Sequence, residues 1–323
     1  MAERTTNMKA SYIPETGGPE VLTYGDVPEP EIGAADLLVR VKAAALNRRD
    51  LFAREGSHGV KPPLPHVPGL EVAGEVVEAG PEADGFKAGD RVLGRCRGGG
   101  YAELARMEAA DAYIFPEWMS FEEAACIAVP FGTAWRMLVR RAQLQAGEDL
   151  LVMAAGSGIG SGAIQLGKLL GARVITTAGA QWKLDKAAEL GADAGINYKE
   201  FPEFSKKVQE LTGGEGVHVI FEHVGAPVWR ECFASLRRGG RFINSGVTAG
   251  HRVELHLGQL WTRELTLMGT TMRPREDMPE IMKLVYERKL HGVLSEALPL
   301  REAARAHELM ERSEFFGKIV LVP

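Results

Sequence analysis

Ala154-Ala155-Gly156-Ser157-Gly158-Ile159-Gly160-Ser161-Gly162 stands between an apolar segment, Asp149–Ala154, and a helical pattern at about Ile159–Leu170. Strand, glycine turn and helix in that order make a dinucleotide-binding motif. Glycines let the backbone approach a phosphate, and the helix N-terminus presents free N–H groups to it. The GxGxxG spacing is met loosely, as Ala155-x-Ser157-x-x-Gly160. The competing reading is a packing turn without ligand.

The next strand, Arg173–Thr177, runs out into Thr177-Ala178-Gly179-Ala180. NAD sites usually carry an acid there for the ribose 2′-hydroxyl. None is present; Gly179 leaves room, and Lys183 offers charge to a 2′-phosphate. NADPH is therefore expected over NADH, although a lysine in that place also reads as a solvated helix residue.

Outward from the turn the alternation continues. Helices are expected near Gln181–Leu190, Pro202–Leu211 and Val228–Leu236, and strands at Ala194–Tyr198, Val217–Val224, Arg241–Ser245 and Leu265–Thr271. Alternating strands and helices imply a doubly wound parallel sheet. One helix is expected over Phe121–Arg141, two more over Asp277–Leu290 and Leu300–Arg312, and a last strand over Lys318–Val322. Residues 8–110 read as all-β, with short apolar runs at Leu37–Ala43, Glu71–Glu78 and Arg91–Gly94 between Gly, Pro and Asp turns. The fold class is thus α/β: a β-rich domain joined to a nucleotide-type domain.

Composition agrees. Of 323 residues, 45% are hydrophobic and 25% charged, which excludes disorder. A net charge of −5 argues against nucleic acid as partner. The uncharged stretch Leu150–Gly167 holds too many glycines for a membrane span, and the polar start MAERTTN does not read as a signal peptide. Cys96, Cys126 and Cys232 are widely spaced, without CxxC or zinc-finger pattern, and imply reduced thiols in a cytoplasmic protein.

Several spaced motifs carry a resemblance over nearly the whole chain. They are Asn47-Arg48-Arg49-Asp50-Leu51-Phe52-Ala53-Arg54-Glu55-Gly56, similar to NxxDxxxRxG; Val67-Pro68-Gly69-Leu70-Glu71-Val72-Ala73-Gly74; Gly85-Phe86-Lys87-Ala88-Gly89-Asp90-Arg91-Val92; Gly132-Thr133-Ala134-Trp135; and Gly317-Lys318-Ile319-Val320-Leu321. The chain resembles the medium-chain dehydrogenase/reductase superfamily, in its zinc-free quinone oxidoreductase (zeta-crystallin-like) branch.

The resemblance implies a GroES-like β-barrel catalytic domain from residues 1–122 together with 273–323, and a Rossmann domain over 123–272 with NADPH in the cleft. It also implies a homodimer joined through a late Rossmann strand, here Leu265–Thr271. Zinc members carry Cys and His where this chain has Asn47 and Leu70, with a third ligand near Val129. Asparagine, leucine and valine do not make a zinc site, so no metal is expected.

Without a Lewis acid, hydride transfer favours a conjugated acceptor, a quinone or an α,β-unsaturated carbonyl. The resemblance assigns Asn47 and Thr133 to the catalytic, nicotinamide-ribose side. It assigns Gly156, Ser157, Gly158, Ile159 and Gly160 to the pyrophosphate, and Gly179, Lys183 and Tyr198 to the adenine ribose and its phosphate. Gly246, Val247, Thr248, Gly269, Thr270, Thr271 and Lys318 are assigned to the rest of the cofactor. Tyr198 reads equally as a core strand aromatic, and Asn47 as a turn cap. His58 is a candidate proton donor or a solvent-exposed loop histidine. Asp50 and Arg54 are expected to pair and shape the loop. Other functions compatible with these residues are a 2-enoyl thioester reductase and a non-catalytic NADPH-binding protein.

Overall fold

The computed structural model describes residues 6–272 and 274–323. The first five residues of the polar start, and Arg273 at the expected domain junction, lie outside the described residues. By packing, the chain divides into two compact units, Met1–Val129 with Met278–Pro323, and Pro130–Asp277. The sequence-based junctions at 122/123 and 272/273 precede these divisions.

In the first unit Asp36–Ala45 is the central strand. It pairs antiparallel with Glu71–Ala79 on one side. Its other side is shared by Leu104–Glu108 and the C-terminal strand Lys318–Val322. The expected apolar runs all lie in strands of this sheet, because alternate side chains such as Leu37, Val39 and Val41 reach one core with Val72, Val92 and Ile319. Two of the elements not anticipated shape this unit. Helix Arg48–Glu55 interrupts the all-β region and ends at Gly56, whose φ of 67° is a left-handed cap. Strand Leu294–Pro299 pairs parallel with the C-terminal strand.

The second unit is a six-stranded parallel sheet. Its strands lie in the spatial order Ala194–Asn197, Arg173–Ala178, Asp149–Val152, Val217–Glu222, Leu236–Asn244, Thr266–Gly269. In chain order that is third, second, first, fourth, fifth, sixth, the Rossmann arrangement. Ligands of such sheets bind at the carboxyl ends of the strands where the order reverses, here beside Asp149–Val152. The strands are runs such as Val219, Ile220 and Phe221, buried on both faces.

The single helix expected over Phe121–Arg141 is divided. Phe121–Ala124 and Ala128–Trp135 are separate α-helices, and Arg136–Arg141 is π-helical. Pro130 fits the restart, because a proline is best tolerated in a helix's first turn, where its missing N–H has no acceptor to lose.

Candidate functional site

In the second unit the chain leaves Asp149–Val152 and turns through Ala154, whose φ of 54° is left-handed. Ser157 caps helix Gly158–Leu169. Its hydroxyl accepts from the Gly160 N–H at 2.8 Å and donates to the Ala154 carbonyl at 2.9 Å. A β-carbon on Gly160 would stand 2.3 Å from that carbonyl oxygen, so glycine alone lets the turn close. Gly156 and Gly158 are buried, and Ile159 is half-buried. The cradle fits a pyrophosphate: close backbone, a capped helix start, and no acid in the turn.

At the end of the second strand the structure brings Gly179 and Tyr198 together. A β-carbon on Gly179 would meet the Tyr198 hydroxyl oxygen at 2.7 Å. Tyr198 lies just past its strand, its N–H on the Ala178 carbonyl at 3.1 Å, and is 40% exposed. The core-aromatic reading is thereby corrected: the ring lies out at the sheet's carboxyl end. Lys183 is half-buried in the first turn of helix Gln181–Glu189, its ammonium 5.2 Å from the centre of the Trp182 ring.

Three residues that sequence reasoning missed organise the later strand ends. The Asn244 amide donates to the Glu222 carboxylate at 2.7 Å and to the Gly246 carbonyl at 2.6 Å. Glu222 also accepts the N–H groups of Val224 and Gly225. Burial pushes the Glu222 carboxyl above its ordinary pKa, while these donors oppose the shift. His223 Nε2 lies 3.2 Å from the Ser157 hydroxyl. The serine's one proton points to Ala154, so the histidine is the donor in this contact. Thr248 lies with its hydroxyl 3.4 Å from the His223 carbonyl, and the Thr270 N–H bonds the Asn244 carbonyl at 3.0 Å. Val247, Gly269 and Thr271 are exposed, and Thr133 is buried in helix Ala128–Trp135. Glu222 ending an apolar strand run was the only sequence signal for this group.

The first unit holds a second polar cluster. The Lys318 ammonium donates to the Asn47 side-chain oxygen at 2.8 Å and pairs with Glu71 at 2.9 Å. The other Glu71 oxygen accepts the Val129 N–H at 2.7 Å. Sheet register explains the meeting: Ala45 pairs with Glu71 on one side and Val320 on the other, and two residues on Lys318 stands opposite Asn47. Asn47 is thus both the N-cap of helix Arg48–Glu55 and a partner of Lys318.

Asp50 accepts three bonds, from the N–H groups of Asn47 at 2.8 Å and Gly69 at 3.2 Å and from the Tyr101 hydroxyl at 3.3 Å. Burial nevertheless pushes its carboxyl up to about 6. Tyr101 in turn meets His307, whose imidazole burial and neighbouring Arg54 push down to about 3. The expected Asp50–Arg54 pair does not form. Arg54 pairs with Glu55 and Glu311, and reaches Asp50 only through His307 and Tyr101. His58 is exposed, left-handed at φ 51°, and stacked on Phe52 with ring centres 3.9 Å apart.

A zinc ion does not fit the positions that would hold it. Asn47, Leu70 and Val129 offer no thiolate, imidazole or carboxylate, and the Lys318 ammonium already takes the Asn47 oxygen. Among the described residues no group of three or more His, Cys, Asp or Glu side chains is placed to hold a metal. Cys96, Cys126 and Cys232 are free and buried; burial pushes the Cys96 thiol up to about 12 and raises the other two thiols as well.

Residues 33–117 match the alcohol dehydrogenase GroES-like domain, and residues 158–287 match the zinc-binding dehydrogenase domain. The chain is 30% identical to the human quinone oxidoreductase over the full length of both. The chain belongs to the medium-chain dehydrogenase/reductase superfamily. It is an oxidoreductase of that superfamily, with quinone oxidoreductases among its relatives. A solved NAD-dependent alcohol dehydrogenase superposes with a TM-score of 0.92 at 39% identity, covering 98% of this chain and all of that one. A mycobacterial protein complexed with NADPH superposes at 0.90 and 30% identity, with the same coverage. This superfamily member thus pairs a GroES-like unit with a Rossmann unit, and no helix among its described residues is long and apolar enough to cross a membrane.

Proposed function

We propose that the protein is an NADPH-dependent reductase of quinones or α,β-unsaturated carbonyls. The observation that carries the cofactor choice is the end of the second Rossmann strand. Gly179 lies under the Tyr198 hydroxyl, Lys183 stands in the next helical turn, and no carboxylate follows the strand. A bound nicotinamide supplies the hydride. The chain's own part is to hold and shield it. The Ser157-capped turn takes the pyrophosphate, and Gly179, Lys183 and Tyr198 take the 2′-phosphate end. The strand ends organised by Asn244 and Glu222 hold Gly246, Val247, Thr248, Gly269, Thr270 and Thr271 for the nicotinamide half. Asn47, Thr133 and Lys318 serve the reacting end, where an uncharged amide and an ammonium suit an acceptor that gains electron density.

NADPH is expected to bind at least tenfold more tightly than NADH, and Lys183→Ala to erase most of that difference. A charge-assisted contact is worth roughly 1.5–3 kcal/mol, about one to two decades in affinity. Nicotinamide fluorescence titration measures it, and equal affinities in the unmutated protein refute the assignment.

We read His58 as a solvent-exposed loop histidine and not as the proton donor: its ring lies flat on Phe52, and its Nδ1 is 3.0 Å from the Ser57 hydroxyl. His58→Phe is expected to lower enone turnover less than about tenfold, short of the roughly 10²–10⁴ that a general acid contributes. A larger, enone-selective loss in steady-state assays restores the donor role and solvent ceases to be the proton source.

The protein is proposed to pair as a homodimer through the outer edge of its parallel sheet. Among the described residues strand Thr266–Gly269 is bonded on one side only, and beside it in the chain Leu257 and Trp261 are 66% and 74% exposed. An open strand edge with large apolar neighbours is a template for pairing. Trp261→Asp is expected to yield monomers in sedimentation velocity; a variant that sediments as the parent does removes this edge from the interface.

A further inference from the structure

A pocket of about 370 Å³ lies in the first unit, beside helix Arg48–Glu55. Its lining includes Arg49, Lys61, Arg97 and His66, with Val60 and Leu70 as apolar wall. Three cationic side chains on one pocket are unexpected in a chain of net charge −5. Arg97 is paired with Glu108 at 2.6 Å. Among the described residues Arg49 and Lys61 have no carboxylate partner. The one acid of the lining, Asp50, is buried and already accepts three hydrogen bonds. His66 does not offset the charge, since burial lowers its pKa and leaves it neutral near pH 7.

Arg49 and Lys61, neither with a carboxylate partner among the described residues, leave positive charge on the pocket that an anion offsets. A guanidinium and an ammonium lining one pocket suit a carboxylate or phosphate, which accepts bidentate bonds from the first and a point charge from the second. The pocket is also joined to the reacting end. The Asp50 carboxylate that takes the Gly69 N–H at the pocket also takes the Asn47 N–H, and Leu70 of the wall precedes Glu71, the partner of Lys318.

We infer that this pocket binds an anionic group of the substrate, a carboxylate or a phosphate carried on the conjugated acceptor, and that the protein prefers anionic acceptors to neutral ones. The inference rests on the reductase reading and names its substrate class. A carboxylate would belong to the acceptor itself, whereas a phosphate would belong to the carrier of an acyl thioester.

Two matched pairs of acceptors separate these sources: 4-oxo-2-pentenoate against its methyl ester, and crotonyl-coenzyme A against crotonyl-N-acetylcysteamine. With NADPH, the anionic member of one pair is expected to show kcat/KM higher by about 10- to 100-fold, the scale of a charge-assisted contact. The advantage is expected to shrink in 0.5 M NaCl. Arg49→Gln with Lys61→Gln is expected to reduce the anionic-to-neutral ratio at least tenfold. Both side chains are exposed, so thermal melts of the variant should match the parent. A ratio near one in both pairs, or a ratio that the double variant leaves unchanged, overturns the inference. A protein that reduces no enone or quinone with NADPH fails the reductase reading instead. Calorimetric binding of the two anionic compounds to NADP⁺-saturated protein then still decides the pocket. Affinity lost in the double variant upholds it, and binding that is absent or unaltered removes it.

Discussion

Gly160→Ala is expected to weaken NADPH binding by about 10²-fold, or roughly 2.7 kcal/mol. The added β-carbon meets the Ala154 carbonyl oxygen at 2.3 Å and the Ser157 hydroxyl at 2.9 Å. The first of these atoms is backbone and cannot swing aside. The Ser157 cap must open, because its hydroxyl is held between Ala154 and Gly160. The turn then loses the geometry that aims its N–H groups. A stability loss of about 1–3 kcal/mol, usual for overpacking, should accompany it. Gly162→Ala is the control: its β-carbon would meet Phe131 and Pro130 no closer than 3.5 Å, an ordinary contact. Fluorescence titration of both variants checks the contrast. Equal NADPH affinity for Gly160→Ala and the parent would show that the pyrophosphate is not bound at this turn.

Glu71→Ala is expected to destabilise the protein by about 3–5 kcal/mol, the cost of leaving one member of a buried ion pair alone. Glu71 is fully buried and the Lys318 side chain is only 6% exposed. The substitution strands that ammonium and also leaves the Val129 N–H without its acceptor. The double variant Glu71→Ala, Lys318→Met should recover part of the loss, because no buried charge is then unpaired. Urea unfolding of the three proteins measures both quantities. A single-variant loss under about 1 kcal/mol, or no recovery in the double variant, would sink the account of the pair as a buried, mutually dependent unit.

Much of the Rossmann unit was legible because its signals are local. Strand, turn and helix around Ala154–Gly162 follow from glycine spacing and apolar runs, and the observed bounds of the later elements differ by only a few residues. The absence of an acid after the second strand is also a local fact. The β-rich unit read less well. Helix Arg48–Glu55 carries its apolar residues, Leu51, Phe52 and Ala53, in one consecutive run and so shows little amphipathic pattern, and its start is set by Asp50 on the Asn47 N–H. Strand Leu294–Pro299 is short and half-exposed, and it exists because the C-terminal strand lies beside it.

By itself the sequence determined the two-part α/β architecture, the glycine turn between first strand and helix of the Rossmann unit, and an Asn47, Leu70, Val129 set unsuited to zinc. The tertiary structure alone decided which distant residues meet. Register across the central strand sets Lys318 against Asn47 and Glu71, residues 271 positions apart in the case of the hydrogen bond from Lys318 to Asn47. Backbone proximity separates Gly160, where a β-carbon has no room, from Gly162, where it has. The same holds for the broken Asp50–Arg54 expectation. Four residues apart on one helix they look like partners, yet Arg54 turns to Glu311 on a helix near the C-terminus. Local propensity acts over a few residues and can be read along the chain; long-range pairing depends on where sheet hydrogen bonds place each strand, and only the folded backbone specifies that.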